Sequence, residues 1–280
     1  MIMEKIFKRK FILPGYGLSL GITWLYLSFI VLLPLSTLYI KVFSGSLNDF
    51  ISAVFSVRAI RAYQISFGLS LLSACVNSIF GFLVAWVIVR YKLPFKGFWD
   101  ALIDLPFALP TAVAGISLTW LYGPRGWIGS FLEAHGFKVV FTPIGIAIAM
   151  IFVSFPFAVR TIEPVLRDLD PEVEESARCL GASRWNIFLK IIFPTLLPSM
   201  LTGFTLSFAR AMGEYGSVIF IAGNQPLKTE IAPLLIVMRL EEYDYYGSAS
   251  IAVFLLTVSF ILLLCLNFLQ FWNKRYTGTF

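Results

Sequence analysis

Long apolar runs alternate with short charged segments along the chain. Residues 11–40, 62–89, 105–124, 139–159, 191–209 and 245–273 contain no Asp, Glu, Lys or Arg, and the shortest of these runs has 19 residues. A helix of about 20 residues crosses the hydrocarbon of a bilayer. The pattern therefore predicts an all-α membrane protein with about six transmembrane helices, formed as a single transmembrane domain over residues 1–280. A seventh uncharged run, 215–227, has 13 residues. It is too short to cross straight and suits a re-entrant or interfacial segment.

The charges between the runs set the orientation. Six spans place both termini on one side. That side collects 14 of the 22 Lys and Arg residues, among them Lys5, Lys8, Arg9 and Lys10, then Arg90, Lys92 and Lys96, five in the 160–190 loop, and Lys274 and Arg275. The excess predicts that both termini and the 160–190 loop are cytoplasmic, or stromal in a plastid. The basic start before an apolar run also looks like a signal peptide. However, the uncharged stretch is too long and lacks a clear small-residue cleavage pattern.

Composition agrees with a lipid environment. Only 14% of residues are charged and 58% are hydrophobic, against about 25% charged in an ordinary soluble domain. A soluble fold would leave large apolar patches uncovered. The net charge of +6 is dispersed between spans, so no basic face for nucleic acid forms. Cys75, Cys179 and Cys265 lie far apart and read as packing residues, and His135 is the only histidine. Neither a metal site nor a disulfide framework follows. No GxxxxGK[ST] motif occurs, so the chain holds no nucleotide in the P-loop manner, and one histidine leaves little choice of general base. The sequence supports no catalytic residues and no cofactor of its own.

The 160–190 loop carries the most information. Asp170 is placed as an N-cap, Pro171 at the first helical position, and Glu172, Glu174 and Glu175 near the positive end of a short helix. Val173, Ala177 and Leu180 recur at helical spacing as a narrow apolar stripe. Gly181 should end the helix in a left-handed conformation, and Ser183 should cap a second helix from Arg184 and Trp185. A capped amphipathic helix on the cytoplasmic face suits docking into a groove of another protein. A plain connector is the alternative.

Glu175-Ser176-Ala177, then Gly181, Ile191 and Phe193-Pro194 resemble the EAA loop of ABC-importer permeases, EAA-x3-G-x9-I-x-LP, with Ser176 and Phe193 as departures. Three further blocks resemble the sulfate and molybdate branch of that family, with a lean toward its T-type sulfate subunits. They are the run from Asp104 to Gly115, the run from Gly213 to Asn224, and the run from Arg239 to Tyr245. The resemblance implies an ABC-importer permease fold with cytoplasmic coupling helices, in which residues of about 168–194 dock on a separate ATPase. Glu175, Ser176, Ala177, Gly181, Val173, Leu180, Ile191 and Pro194 would form the coupling element. It also implies a W-type second permease chain, two ATP-binding subunits carrying ATP and Mg, and an external sulfate-binding protein. A bacterial inner membrane and a plastid envelope both fit. The implied activity is ATP-driven import of sulfate or thiosulfate, and a molybdate or tungstate importer, or an autonomous secondary anion transporter, are the competing readings.

Ionisable or broken positions inside spans are candidates for a translocation path or gate. Arg210 and Glu214 stand four apart at the end of span 5 and can pair. Asp104 is expected to open span 3 at a helix N-terminus. Pro106 and Pro110 interrupt that span, and Thr111 and Ser117 add hydroxyls.

Overall fold

The computed structural model describes residues 16–277, with side chains described through Phe268. The basic residues Lys5, Lys8, Arg9 and Lys10 lie outside the described residues, as do the side chains of Lys274 and Arg275. Every regular element among the described residues is helical. The chain forms α1 (Tyr16–Phe43), α2 (Leu47–Val54), α3 (Val57–Arg90), α4 (Lys96–Ala108), α5 (Thr111–Tyr122), α6 (Trp127–Ala134) and α7 (Pro143–Arg167). It continues with α8 (Pro171–Cys179), α9 (Arg184–Met212), α10 (Val218–Ala222), α11 (Ala232–Glu241) and α12 (Tyr245–Thr277).

Five helices, α1, α3, α7, α9 and α12, are long and apolar enough to cross a membrane unaided. The sixth crossing is α4 with α5, bent by 108°. Contacts between α3 and α7 show that this pair must cross. Ser73 Oγ lies 3.4 Å from Ala147 O, and Asn77 Nδ2 donates to Ile151 O at 3.1 Å and to Ser154 Oγ at 2.8 Å. Farther along, Ala85 and Ile88 pack with Val159 and Ile162. Residue numbers rise together on both helices, so α3 and α7 are parallel. The chain between them has to return through the full membrane thickness. The interruption expected at Pro106 and Pro110 in the 105–124 span is a full break between two helices. The break falls at Leu109–Pro110, where Pro110 lacks an amide hydrogen and disfavours helix in the residue before it.

The remaining spans alternate. Helix α9 runs antiparallel to α7, since Ser207 Oγ donates to Ser154 O (3.1 Å) while Leu196 packs with Leu166 and Ala211 with Met150. Helix α12 starts beside the end of α1, where Tyr246 OH donates to Ser46 O (3.0 Å) and Tyr39 OH meets Thr257 Oγ1 (3.1 Å). The starts of α3 and α12 are also together, with Tyr63 and Phe254 rings 4.9 Å apart. The ends of α3, α7 and α12 thus share one side with the start of α1.

Two spans contain a π-helical turn, Ser28–Leu32 in α1 and Phe188–Ile192 in α9. Each is followed two residues later by a proline, Pro34 or Pro194, whose missing donor removes a regular backbone bond. The 215–227 run does not span. Only Val218–Ala222 of it is helical, and Val218, Ile221 and Ala222 are fully buried against Ile146 and Met150 of α7. The cysteines are exposed rather than packed. Helix α1 buries only Val42, so most of its surface is left to lipid or another chain.

This topology predicts that reporter fusions at residue 136 and at residue 280 lie in opposite compartments. Reporters active in the same compartment would remove one crossing and overturn the six-span arrangement.

Candidate functional site

The 168–194 segment sits at the cytoplasmic end of α3, α7 and α9. Asp170 caps α8, its carboxylate accepting from the Glu172 amide at 2.9 Å. At the other end Gly181 N–H donates to Arg178 O (2.9 Å) and Ala182 N–H to Ala177 O (3.0 Å). This pair of bonds defines a Schellman ending, which needs a left-handed residue. Gly181 supplies it with φ 82°, and a side chain there would meet no atom within 4 Å. Ser183 Oγ then accepts from the Asn186 amide at 3.3 Å and opens α9.

The expected stripe of Val173, Ala177 and Leu180 is split. Ala177 packs into the chain's own core with Leu166, Ile187 and Leu196. Val173 is 48% and Leu180 is 88% exposed. Glu174 causes the difference. It was expected to serve the helix dipole, yet it is buried and bonded to Arg90 at the end of α3, with Arg178 at 3.6 Å. Arg90 in turn stacks over Trp86, 5.3 Å from the ring centre, and Trp86 meets Phe188 edge-on at 5.9 Å. The Glu174 face of α8 is therefore fastened to α3. Val173, Glu175, Ser176 and Leu180 are left outward, while Ile191 packs in the same cluster as Ala177. Pro194 lies just past the π-turn of α9.

A second polar cluster joins the broken span to α7. Asp104 does not open a helix, because α4 begins at Lys96 and places Asp104 in its interior. Both its oxygens accept from Arg160, from Nε at 2.8 Å and Nη2 at 2.7 Å. Arg160 also donates to Glu163 (2.6 Å) and to Asp100 O (3.1 Å), and Glu163 is held by Arg167 as well. Two guanidiniums thus balance Asp100, Asp104 and Glu163. Pro106 lies inside α4, Pro110 precedes α5, and Thr111 is its first residue. Ser117 is exposed on α5. Thr111 lies against Gly216, so the start of α5 touches the turn that follows Glu214.

Arg210 and Glu214 do pair, at 2.7 Å, at the far end of α9. Glu214 is buried, and its second oxygen accepts from Ser217 N and Ser217 Oγ, both at 2.8 Å. This carboxylate therefore organises the turn into α10. Helix α5 packs on that turn so closely that a Cβ on Gly115 would lie 2.4 Å from Ser217 O. On the same outer side Arg58 binds buried Glu230 through two bonds, 2.8 and 2.6 Å. Asp244 caps α12 through Gly247 N–H (2.8 Å) and pairs with Arg239 (2.6 Å). Burial pushes the Asp244 carboxyl up, but the Gly247 amide and Arg239 outweigh this and hold it below its ordinary value.

Sequence reasoning missed the Arg160 cluster, Arg58–Glu230 and Arg90–Glu174. The spacing of Arg160, Glu163 and Arg167 is a helical pair signal open to reading. The other two pairs join residues 172 and 84 positions apart, and no local pattern marks them. No group of three His, Cys, Asp or Glu side chains converges like a metal site among the described residues.

Residues 77–276 match the family described as binding-protein-dependent transport system inner membrane component. The chain is 44% identical to the sulfate transport system permease protein CysT of Escherichia coli, over 92% of this chain and 94% of that one. It is 47% identical to the protein of the same name from Synechocystis, over 93% and 92%. It is 49% identical to the probable sulfate transport system permease protein of Mesostigma viride, over 92% and 96%. In fold it matches a bacterial ABC transporter involved in import of the acidic polysaccharide alginate. That TM-score is 0.72 at 19% identity, covering 96% of this chain and 98% of the other.

The two clusters respond differently to loss of an arginine. Arg160→Ala strands Asp100 and Asp104 and leaves Glu163 only Arg167, whereas Asp104→Ala leaves Arg160 its bonds to Glu163. Removing the shared cation should lower the melting temperature of the purified protein more than removing Asp104. The reverse order would show that the cluster does not hang on Arg160. At the other pair, Arg210→Ala leaves Glu214 charged and buried, which lowers expression. Adding Glu214→Gln removes the charge but keeps an oxygen for Ser217, and so should restore expression. Adding Glu214→Ala should not. Equal recovery by both would remove the Ser217 bonds from the account.

Proposed function

This chain belongs to the binding-protein-dependent transport system inner membrane components, and we propose that it is the permease subunit through which an ABC importer moves sulfate. The observation that carries the coupling half of this reading is α8. It is a short helix capped at both ends, pinned by Glu174 to Arg90, with Val173 and Leu180 held outward on the cytoplasmic face. Two exposed apolar side chains on a rigid helix away from the lipid-facing spans suit a groove in another protein. The sulfate assignment rests on the relatives, which bear that name at 44% to 49% identity over nearly the whole chain.

On this reading the chain is an integral membrane protein without catalysis of its own. ATP and Mg are held by two partner ATPase subunits, one of which receives α8. A W-type permease chain completes the pore, and an external binding protein delivers sulfate. Relatives from bacteria and from plastid genomes support a bacterial inner membrane or a plastid envelope as the location. Asp104, Pro106, Pro110, Thr111, Ser117, Arg210 and Glu214 flank the broken span and the α10 turn, where the path or its gate would run. A dianion that only passes through needs no tight, fully charged cage. Hydroxyls, helix N-termini and an arginine are enough.

The reading is tested by labelled sulfate uptake in a strain lacking its own sulfate permease, complemented with this chain and its partner subunits. Uptake should be restored, and unlabelled sulfate should compete better than molybdate. Better competition by molybdate would reassign the cargo. Gly181 tests the coupling element. A β-branched residue is poorly tolerated at its positive φ, whereas asparagine adopts that region more readily. Gly181→Val should leave the chain at normal abundance but abolish uptake, and Gly181→Asn should retain most of it. Wild-type uptake by Gly181→Val would remove α8 and its turn as the coupling element.

A further inference from the structure

An apolar cleft of about 460 Å3 opens on the membrane surface between α3 and α4, near their cytoplasmic ends. Leu83 and Val87 on α3 and Trp99 and Leu102 on α4 form its walls, with Ile88 and Phe155 deeper in. The four wall residues are each nearly half exposed, Val87 at 41%, Trp99 at 42%, Leu102 at 47% and Leu83 at 49%. The short loop that joins the two helices, 91–95, lies at the cytoplasmic end of this cleft. It carries Lys92 and leads into Lys96. Arg90, the neighbouring cation, is engaged by Glu174. Lys92 and Lys96 are exposed and hold no ion pair among the described residues. Trp99 stands between the two regions, its indole N–H donating to Pro94 O at 3.2 Å.

We propose that this cleft binds an anionic phospholipid of the cytoplasmic leaflet, with an acyl chain against Leu83, Val87 and Leu102 and the phosphate between Lys92 and Lys96. The cleft's polarity runs the right way for such a molecule, from an all-apolar slot within the membrane to two free ammonium groups at its surface. Basic residues at that depth attract anionic headgroups, and an indole that is apolar at one end and bonded at the other favours the same interface. The site stands on this chain's own residues and is independent of the cargo.

The consequence for the fold is specific. Helix α4 is the first half of the broken span, and its other face is the one that binds Arg160 through Asp104. A lipid wedged between α3 and α4 therefore sets the seat of the helix that leads into the bend.

The test uses the full transporter purified with its partner subunits and returned to zwitterionic vesicles. A phosphatidylglycerol with a diazirine on its acyl chain is titrated in, photolysed, and the labelled peptides are identified. Wild type should label saturably within 83–102. The double variant K92Q/K96Q should need about thirtyfold more probe, since each basic residue near an anionic surface contributes about a factor of five. Leu83→Trp with Val87→Trp fills the slot without touching charge, and should abolish labelling there. Each variant is accepted only if it melts within a few degrees of wild type, and either variant alone is enough to decide between the outcomes. Labelling that neither pair of substitutions changes overturns the proposal. So does efficient cross-linking of a Leu102→Cys chain to another protein subunit in native membranes, because the cleft would then be a subunit interface.

Discussion

The hydrocarbon interior offers no water to a backbone amide, so every departure from regular helix at membrane depth has to be satisfied by the protein itself. Besides the π-turns of α1 and α9, the described chain breaks its helices at Leu109–Pro110 and across 213–231, and it packs these two breaks against each other. Gly115 allows α5 to touch the Ser217 backbone. The buried Glu214 carboxylate binds the Ser217 amide, Phe141 N–H donates to Ile221 O at 2.8 Å, and Ser66 Oγ accepts from the Ala232 amide at 2.7 Å. Spans α3, α7 and α9 form the scaffold that makes this possible. Their contact line is built from small and polar side chains, Ser73, Asn77, Ser154 and Ser207, as expected where helices associate without a hydrophobic driving force.

Charge is distributed by the same constraint. Each buried carboxylate, Glu163, Glu174, Glu214 and Glu230, has an arginine within bonding distance. None of the four is left alone in a low-dielectric setting, where an unpaired charge is most costly. The pairs also tie elements that chain connectivity does not. Arg160 joins α4 to α7, Arg58 joins α3 to the segment before α11, and Arg90 joins α3 to α8. The charges that look like loop decoration in the sequence are the fastenings between spans and the insertions around them.

Hydropathy made the number of crossings legible, because lipid imposes one length on every span, and the Lys/Arg distribution supplied the expected orientation. Residues 160–194 were legible because helix caps follow local rules, as at Asp170, Gly181 and Ser183. Three features were not. Pro106 and Pro110 announced a break, but whether the chain continues straight or turns by 108° depends on α10, which lies a hundred residues farther on. Asp104 looked like a helix start because the uncharged run begins after it, whereas the helix itself begins eight residues earlier at Lys96. The outward side of α8 was hidden because apolar spacing cannot reveal that Glu174 has a buried partner 84 residues away.

The buried Glu174 pair bears on how a partner docked on α8, as proposed, would act on the membrane. An apolar stripe on α8 that was wholly free would let the helix swivel under load. With Glu174 on Arg90 and Ala177 in the Leu166–Leu196 cluster, α8 is fixed along its inner face to α3, α7 and α9 at once. A push on Val173 or Leu180 is then borne by the ends of three spans rather than absorbed by a loop. One of those spans, α7, carries Arg160, and through Asp104 it holds the first half of the broken span. The cytoplasmic surface and the bend inside the membrane are therefore joined by the packing of Ala177 on α7 and α9 and by the Arg160–Asp104 pair. Displacement of α8 then either moves the ends of α3, α7 and α9 with it or breaks the buried Glu174–Arg90 pair, and the second course is the more costly one.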